Sequence, residues 1–192
     1  MDSGFFAGRL AHTDVLHMQQ TASFMSNDFE VTDAQERPVL RVRTTGSGAS
    51  RFFMGNRSFV IEDAETGRTL FGFEDVVTWG RDRMSMVDAE GLPLARLRRE
   101  HAFFSTKVSC QVVDGTEFEI VGNAWGKAYQ VHARGVQIAA VERRWAGLSR
   151  GLMGHSRYEV TLDPSMPPIV RCAVVGTVLG LDLMRAKDQS SS

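Results

Sequence analysis

The pentapeptide GLSRG at residues 147–151 sets Ser149 between two glycines at the spacing of a nucleophile elbow. In that motif a serine sits on a sharp strand-to-helix turn and attacks a carbonyl carbon, with an acid and then a histidine following it in the chain. Here the next residues, LMGHSRYEV, read as a short loop and a strand. Asp163 follows Ser149, but no histidine lies beyond His155, so the order fails. GNAWGKA at 122–128 has the wrong glycine spacing for a phosphate loop, and Ala128 stands where Ser or Thr would hold magnesium. Histidines 12, 17, 101, 132 and 155 share no ligand spacing. Cys110 and Cys172 make neither a disulfide framework nor a zinc site, and read as buried free thiols. The sequon NRS at 56–58 is idle without secretion. The sequence therefore offers no catalytic residue, no metal site and no cofactor site.

Arginine is the remaining chemical signal. One cluster is Arg96, Arg98, Arg99 and His101; the other is Arg143, Arg144, Arg150 and Arg157. Guanidinium groups grip phosphate and carboxylate through two parallel hydrogen bonds. In a strand, Arg96 and Arg98 share one face and Arg99 takes the other. Arg96, Arg98, Arg143 and Arg144 are the candidate ligand-binding residues, and parity can set Arg144 on the opposite face from Arg143. The competing reading is a solvated strand face whose charges block edge pairing.

These residues need a scaffold, and the scaffold is repetitive. FEVTDAQERPVL (29–40), FVIEDAETGRTL (59–70) and MSMVDAEGLPL (84–94) each run an apolar pair at spacing two into Asp-Ala, a polar turn and Leu. Period two is the strand signature. Asp caps such turns by accepting backbone N–H bonds, and Gly67 and Gly91 supply the positive φ that tight turns require. The first copy has Glu36-Arg37-Pro38 in that place and no glycine. Weaker copies follow at CQVVDGTEFEIVG (110–122) and YQVHARGVQIAAVERRW (129–145), and YEVTLDP (158–164) starts a last strand. Ten to twelve strands would curl or close, because an open sheet of that size is rare.

A wide closed sheet needs its lumen filled. Residues 169–184, IVRCAVVGTVLGLDLM, are apolar nearly all round and follow Pro164, Pro167 and Pro168. A helix apolar on every face is a buried one. It is shorter than the roughly 20 apolar residues of a membrane span and carries Arg171 and Asp182 near its ends. The expectation is a mainly β protein: a closed antiparallel barrel of about twelve strands around a central hydrophobic C-terminal helix at about 167–185. Gly176 and Gly180 would let that helix approach the wall. Residues 1–14 form an N-terminal segment, 15–187 the barrel domain and 188–192 a disordered tail.

Repeated F-x-V-x-D-A-x-G-x-x-L hairpins, VDAEGLPLARLRRE at 87–100 and the apolar helix after YEVTLDP resemble the LURP-one-related family, over about residues 15–187. That family stands with the tubby C-terminal domain and the phospholipid scramblases in one superfamily. The resemblance implies a twelve-stranded barrel around a hydrophobic helix. GSGASRFFMGNRS at 46–58, with its Phe52-Phe53 pair, does not align. The tubby branch binds phosphoinositide headgroups through basic residues, but no motif here lets those positions be carried over. Scramblases bind calcium and carry a lipid-facing helix; no acidic calcium loop is evident.

The chain of 192 residues is 43% apolar and 23% charged, with a net charge of −1. Such a balance gives no overall pull toward nucleic acid or an anionic membrane. MDSGFFAGRL lacks the basic and apolar regions of a signal peptide, so the expected location is cytoplasmic and at most membrane-peripheral. Three functions follow: a non-enzymatic tubby-like binding or scaffold module for an anionic lipid headgroup or a protein partner; a scramblase-like membrane-associated protein; and a hydrolase using Ser149.

Overall fold

Four of the five hairpin turns among the described residues are folded by an aspartate, and the fifth, between the strands Ala128–Ala133 and Val136–Trp145, turns through Arg134 and Gly135. In the computed structural model, which describes residues 7–20, 29–45, 58–78, 81–102, 105–122, 128–145 and 156–190, the Asp33 carboxylate accepts the backbone N–H groups of Gln35 and Arg37, both at 2.9 Å. Asp63 accepts from the N–H and hydroxyl of Thr66, both at 2.8 Å. Asp88 accepts from Glu90 at 3.0 Å and Leu92 at 2.8 Å, and Asp114 from Thr116 at 2.8 Å. Burial pushes the Asp63 carboxyl upward, yet N–H bonds from Arg9 and Thr66 outweigh it and hold the group below its usual range.

Glycine enters where the chain must turn left-handed. Gly67 and Gly91 have φ of 69° and 80°. Without a glycine, the first copy drives Glu36 into the same region at φ 61°, and its N–H bonds the Asp33 carbonyl at 3.0 Å as that of Gly91 bonds the Asp88 carbonyl at 3.1 Å. A Cβ at Gly91 would meet open space, so only backbone strain opposes it. Gly91→Val should therefore cost about 1 kcal/mol or more, read as a lowered melting temperature. An unchanged melting temperature would mean that this turn does not need a left-handed residue.

Among the described residues twelve strands form: β1 Val15–Gln20, β2 Phe29–Asp33, β3 Pro38–Thr45, β4 Ser58–Asp63, β5 Thr69–Thr78, β6 Arg81–Asp88, β7 Pro93–Ala102, β8 Ser105–Val112, β9 Glu117–Gly122, β10 Ala128–Ala133, β11 Val136–Trp145 and β12 Ser156–Leu162. Each pairs antiparallel with its chain neighbour, and β1 pairs β12 from Val15↔Thr161 to Gln19↔Arg157, closing the barrel. The aspartate turns all lie at one end. The connections at the other end fall outside the described residues, and with them the 46–57 loop and Phe52-Phe53.

Helix α1, Pro168–Ser190, fills the lumen. Val174, Val175, Val178 and Leu179 are buried, and every strand contributes buried side chains to the same core, among them Leu16, Val31, Phe71 and Val160. A Cβ at Gly176 would collide with Met86, and one at Gly180 would lie 3.2 Å from the Met84 sulfur, so both glycines let the helix lie close against the wall. Phe71 and Phe73 meet edge-to-face at 5.9 Å on that wall. The helix reaches Ser190, beyond the expected end at about 185 and into the stretch expected as a disordered tail, because nothing between Ile169 and Ser190 breaks it.

The aspartate-turn end is sealed by two arginines. Residues Gly8–His12 form a 3-10 turn that buries Leu10. The Arg9 N–H donates to Asp63 at 3.0 Å, and its guanidinium donates to Asp33 at 3.4 Å and the Pro38 carbonyl at 3.1 Å. Residues 7–14, which the sequence sets apart from the barrel, thus pack against its base. Arg171, inside the helix and 1% exposed, donates to the carbonyls of Met166 (3.2 Å), Thr13 (2.9 Å), Asp163 (3.0 Å) and Pro164 (3.1 Å), and to the Asp14 carboxylate at 2.7 Å.

Candidate functional site

The helix packs tightly against the described part of the wall. Between α1 and Ile120, Tyr129, Val141 and Tyr158 the free space is about 10 Å³, at most the room one water needs. The outer wall across β6–β10 is concave and encloses about 890 Å³.

Strand parity builds this groove. On β6, Met84 and Met86 are buried while Arg83 is exposed and Ser85 half-buried. On β7, Ala95 and Leu97 are buried while Arg96 and Arg98 are exposed. On β8, Val108, Cys110 and Val112 are buried, and Lys107, Ser109 and Gln111 line the groove. Glu117 and Glu119 of β9 and His132 of β10 complete it.

The charges within the groove are sorted. Lys107 binds Glu119 at 2.6 Å, and that carboxylate holds the ammonium above its usual pKa. Gln111 donates to Glu117 at 3.1 Å. Glu100 lies in register with Lys107. Glu117 and Glu119 thus face Gln111 and Lys107 on the β8–β9 side, while Glu100 lies on β7, two residues beyond Arg98 on the same face. On the β6–β7 side Arg83 stands directly opposite Arg98, and Arg96 stands between Ser85 and Gln111. Among the described residues the side chains of Arg83, Arg96 and Arg98 make no hydrogen bond and no ion pair.

Two of the four arginines proposed from sequence, Arg96 and Arg98, share this groove. Arg143 does not join them. It lies on β11, half-buried, in the register of the inward Ala139 and Val141 and opposite Tyr158. Four strand steps separate β7 from β11. Arg144 pairs with Arg157 through the backbone, and its side chain lies outside the described residues. Arg157 reaches His17 at 3.2 Å, away from the groove. Arg83 is not among the arginines singled out from sequence. Its signal is the alternation in RDRMSMVDAEG: once Asp88 starts the turn, counting back along the hairpin sets Arg83 outward and opposite Arg98.

The other chemical candidates lead elsewhere. Ser149 and residues 123–127 lie outside the described residues. Cys110 and Cys172 are free and buried; burial pushes the Cys110 thiol up to about 12 and Cys172 higher still, which keeps both as unreactive thiols. Among the described residues no three of His, Cys, Asp and Glu gather where they could hold a metal ion. No described helix is long and apolar enough to cross a membrane, and the face a scramblase-like function would turn to lipid is packed inside the barrel.

A closed antiparallel barrel filled by its own helix, with its hollow on the outer wall, is a tubby-like barrel. The chain belongs to the LURP-one-related family, whose pattern it matches over residues 14–178. Its fold is similar to the X-ray structure of a protein from Arabidopsis thaliana, with a TM-score of 0.61 at 13% identity over 95% of this chain and 99% of that one. At that identity the likeness concerns the fold alone. No curated protein matches the sequence.

Proposed function

We propose that this protein is a non-enzymatic binding module that takes an anionic ligand on the outer wall of its barrel across β6–β10. The family and the tubby-like fold support a binding or scaffold role. The observation that carries the reading is the groove itself: 890 Å³ of concave surface whose β6–β7 side holds Arg83, Arg96 and Arg98 with no carboxylate bound to them among the described residues. Anionic phospholipid headgroups fit this surface, which makes the protein a peripheral visitor to a cytoplasmic membrane face. An acidic segment of a protein partner is the alternative carrier of the same charge. Each arginine near an anionic surface adds about 1 kcal/mol, so three reach about 3 kcal/mol. Even millimolar binding takes about 4 kcal/mol. Charge alone is too weak, and the concave shape has to supply the rest. The binding should be salt-sensitive, since exposed charges are screened beyond about 8 Å at physiological ionic strength.

Co-sedimentation with anionic and neutral vesicles tests this, comparing wild type with Ser109→Trp. Ser109 lies mid-groove, and the indole blocks it without altering any charge. Wild type should pellet with anionic vesicles and the variant should largely remain in solution. Equal pelleting of the two proteins would move the binding surface elsewhere.

A further inference from the structure

Resting on that reading, we infer that Arg83, Arg96 and Arg98 form a clamp for a phosphate group, so that the ligand carries a phosphomonoester as distinct from negative charge alone. The register is the starting point. Arg83 and Arg98 are direct cross-strand partners on β6 and β7, which sets their Cβ atoms about 5 Å apart. Arg96 lies two residues along the same face of β7, about 7 Å away. Like charges directly opposite each other weaken a sheet, and carboxylates normally relieve them. Here two of the groove's carboxylates are engaged at the other side, Glu119 with Lys107 and Glu117 with Gln111, and the third, Glu100, stands opposite Lys107 on β7 with no bond to the arginines among the described residues. Among the described residues three guanidinium groups thus share one face of a concave wall with no carboxylate bound to them.

The neighbouring groups narrow the ligand further. Ser85 stands in register with Arg96, and Ser109 with Arg98. The Ser85 hydroxyl can donate to an oxygen that the arginines leave open, while that of Ser109 donates to the Arg98 carbonyl at 3.4 Å. A phosphomonoester offers three strong acceptor oxygens and close to two negative charges at neutral pH, which matches several forks at once. A carboxylate offers two oxygens and one charge, and a phosphodiester headgroup offers no terminal dianion. The phosphate can come from a lipid such as phosphatidate or from a soluble phosphomonoester, and both present the same chemistry to the clamp.

The test has two arms. In the first, glycerol 3-phosphate and succinate are titrated into the protein while arginine side-chain NMR signals are followed. In the second, pelleting is compared on phosphatidate and phosphatidylserine vesicles matched for charge. At least one phosphate-bearing probe should bind better than its control. Arg98→Ala should weaken that binding on the order of tenfold, the effect of losing one charge-assisted pair. Arg98→Lys should recover little of it, because an ammonium lacks the planar fork. Arg83→Ala and Arg98→Ala should both melt no lower than wild type, since each removes a like-charge opposition; this separates lost affinity from lost fold. Binding of glycerol 3-phosphate alone assigns a soluble ligand, and binding of phosphatidate alone assigns a lipid; either supports the clamp. Equal response to phosphate and carboxylate probes, or an Arg98→Lys variant equal to wild type, overturns the clamp while Ser109→Trp still reports on the groove. If no probe binds and Ser109→Trp also behaves as wild type, clamp and groove fall together.

Discussion

Val175→Asp should yield no soluble, folded protein. Val175 is fully buried where α1 passes through the barrel. Burying a valine contributes roughly 1.5–3 kcal/mol, and that is lost. An ionised carboxylate without a partner in an apolar interior costs several kcal/mol more, even after its pKa rises to neutralise it. Domains of this kind are stable by only about 5–15 kcal/mol, so one charge can consume most of the margin. The soluble fraction after expression and the near-ultraviolet circular dichroism of any recovered protein measure the result. A soluble variant with native circular dichroism and normal melting would place that helix face against solvent and dismantle the filled barrel.

Arg171→Leu should be the second largest loss. The guanidinium holds four carbonyls and one carboxylate, which come from Thr13 and Asp14 just before β1 and from Asp163, Pro164 and Met166 in the β12–α1 connection. Leucine approximates the stem and satisfies none of them. Asp14 is half exposed and water can take the place of its lost partner, so the loss comes mainly from the part-buried carbonyls, at about 1–3 kcal/mol for each one that water does not reach. The midpoint of urea unfolding should fall accordingly, and Arg171→Lys should lie between the two because an ammonium has only three donors. A leucine variant within about 1 kcal/mol of wild type would mean that water replaces the arginine at little cost.

Arg171 also marks a limit of what a linear chain displays. In the sequence it looks like a charge interrupting an apolar run, a sign against a membrane span and nothing more. Its five acceptors come from segments on both sides of the barrel closure, and no local pattern announces them. The hairpins are legible because their causes are local: Asp63, Thr66 and Gly67 meet within one turn. The lumen helix is legible because a helix apolar on every face has to be enclosed by protein. The arginine site is half legible. Parity along one strand places Arg96 and Arg98 together, but Arg83 needs the register between strands, and Arg143 misleads because nearness in composition says nothing of position around the ring. Glu36 shows the same limit in reverse: the missing glycine is visible, and the left-handed backbone it leaves to a glutamate is not.

The helix that fills the barrel follows all twelve strands in the chain, and this fixes an order of events during translation. While the ribosome is still adding residues of β12, every inward valine, leucine and phenylalanine of the wall up to that strand has been made and the element they pack against has not. Hairpins can form as they emerge, since their contacts are local. The seam between β1 and β12 joins residues as distant as Val15 and Thr161, and long-range pairings of this kind form slowly. Until Pro168–Ser190 has been made, the wall therefore lacks the element its inner side packs against, and exposed apolar surface of that kind favours aggregation.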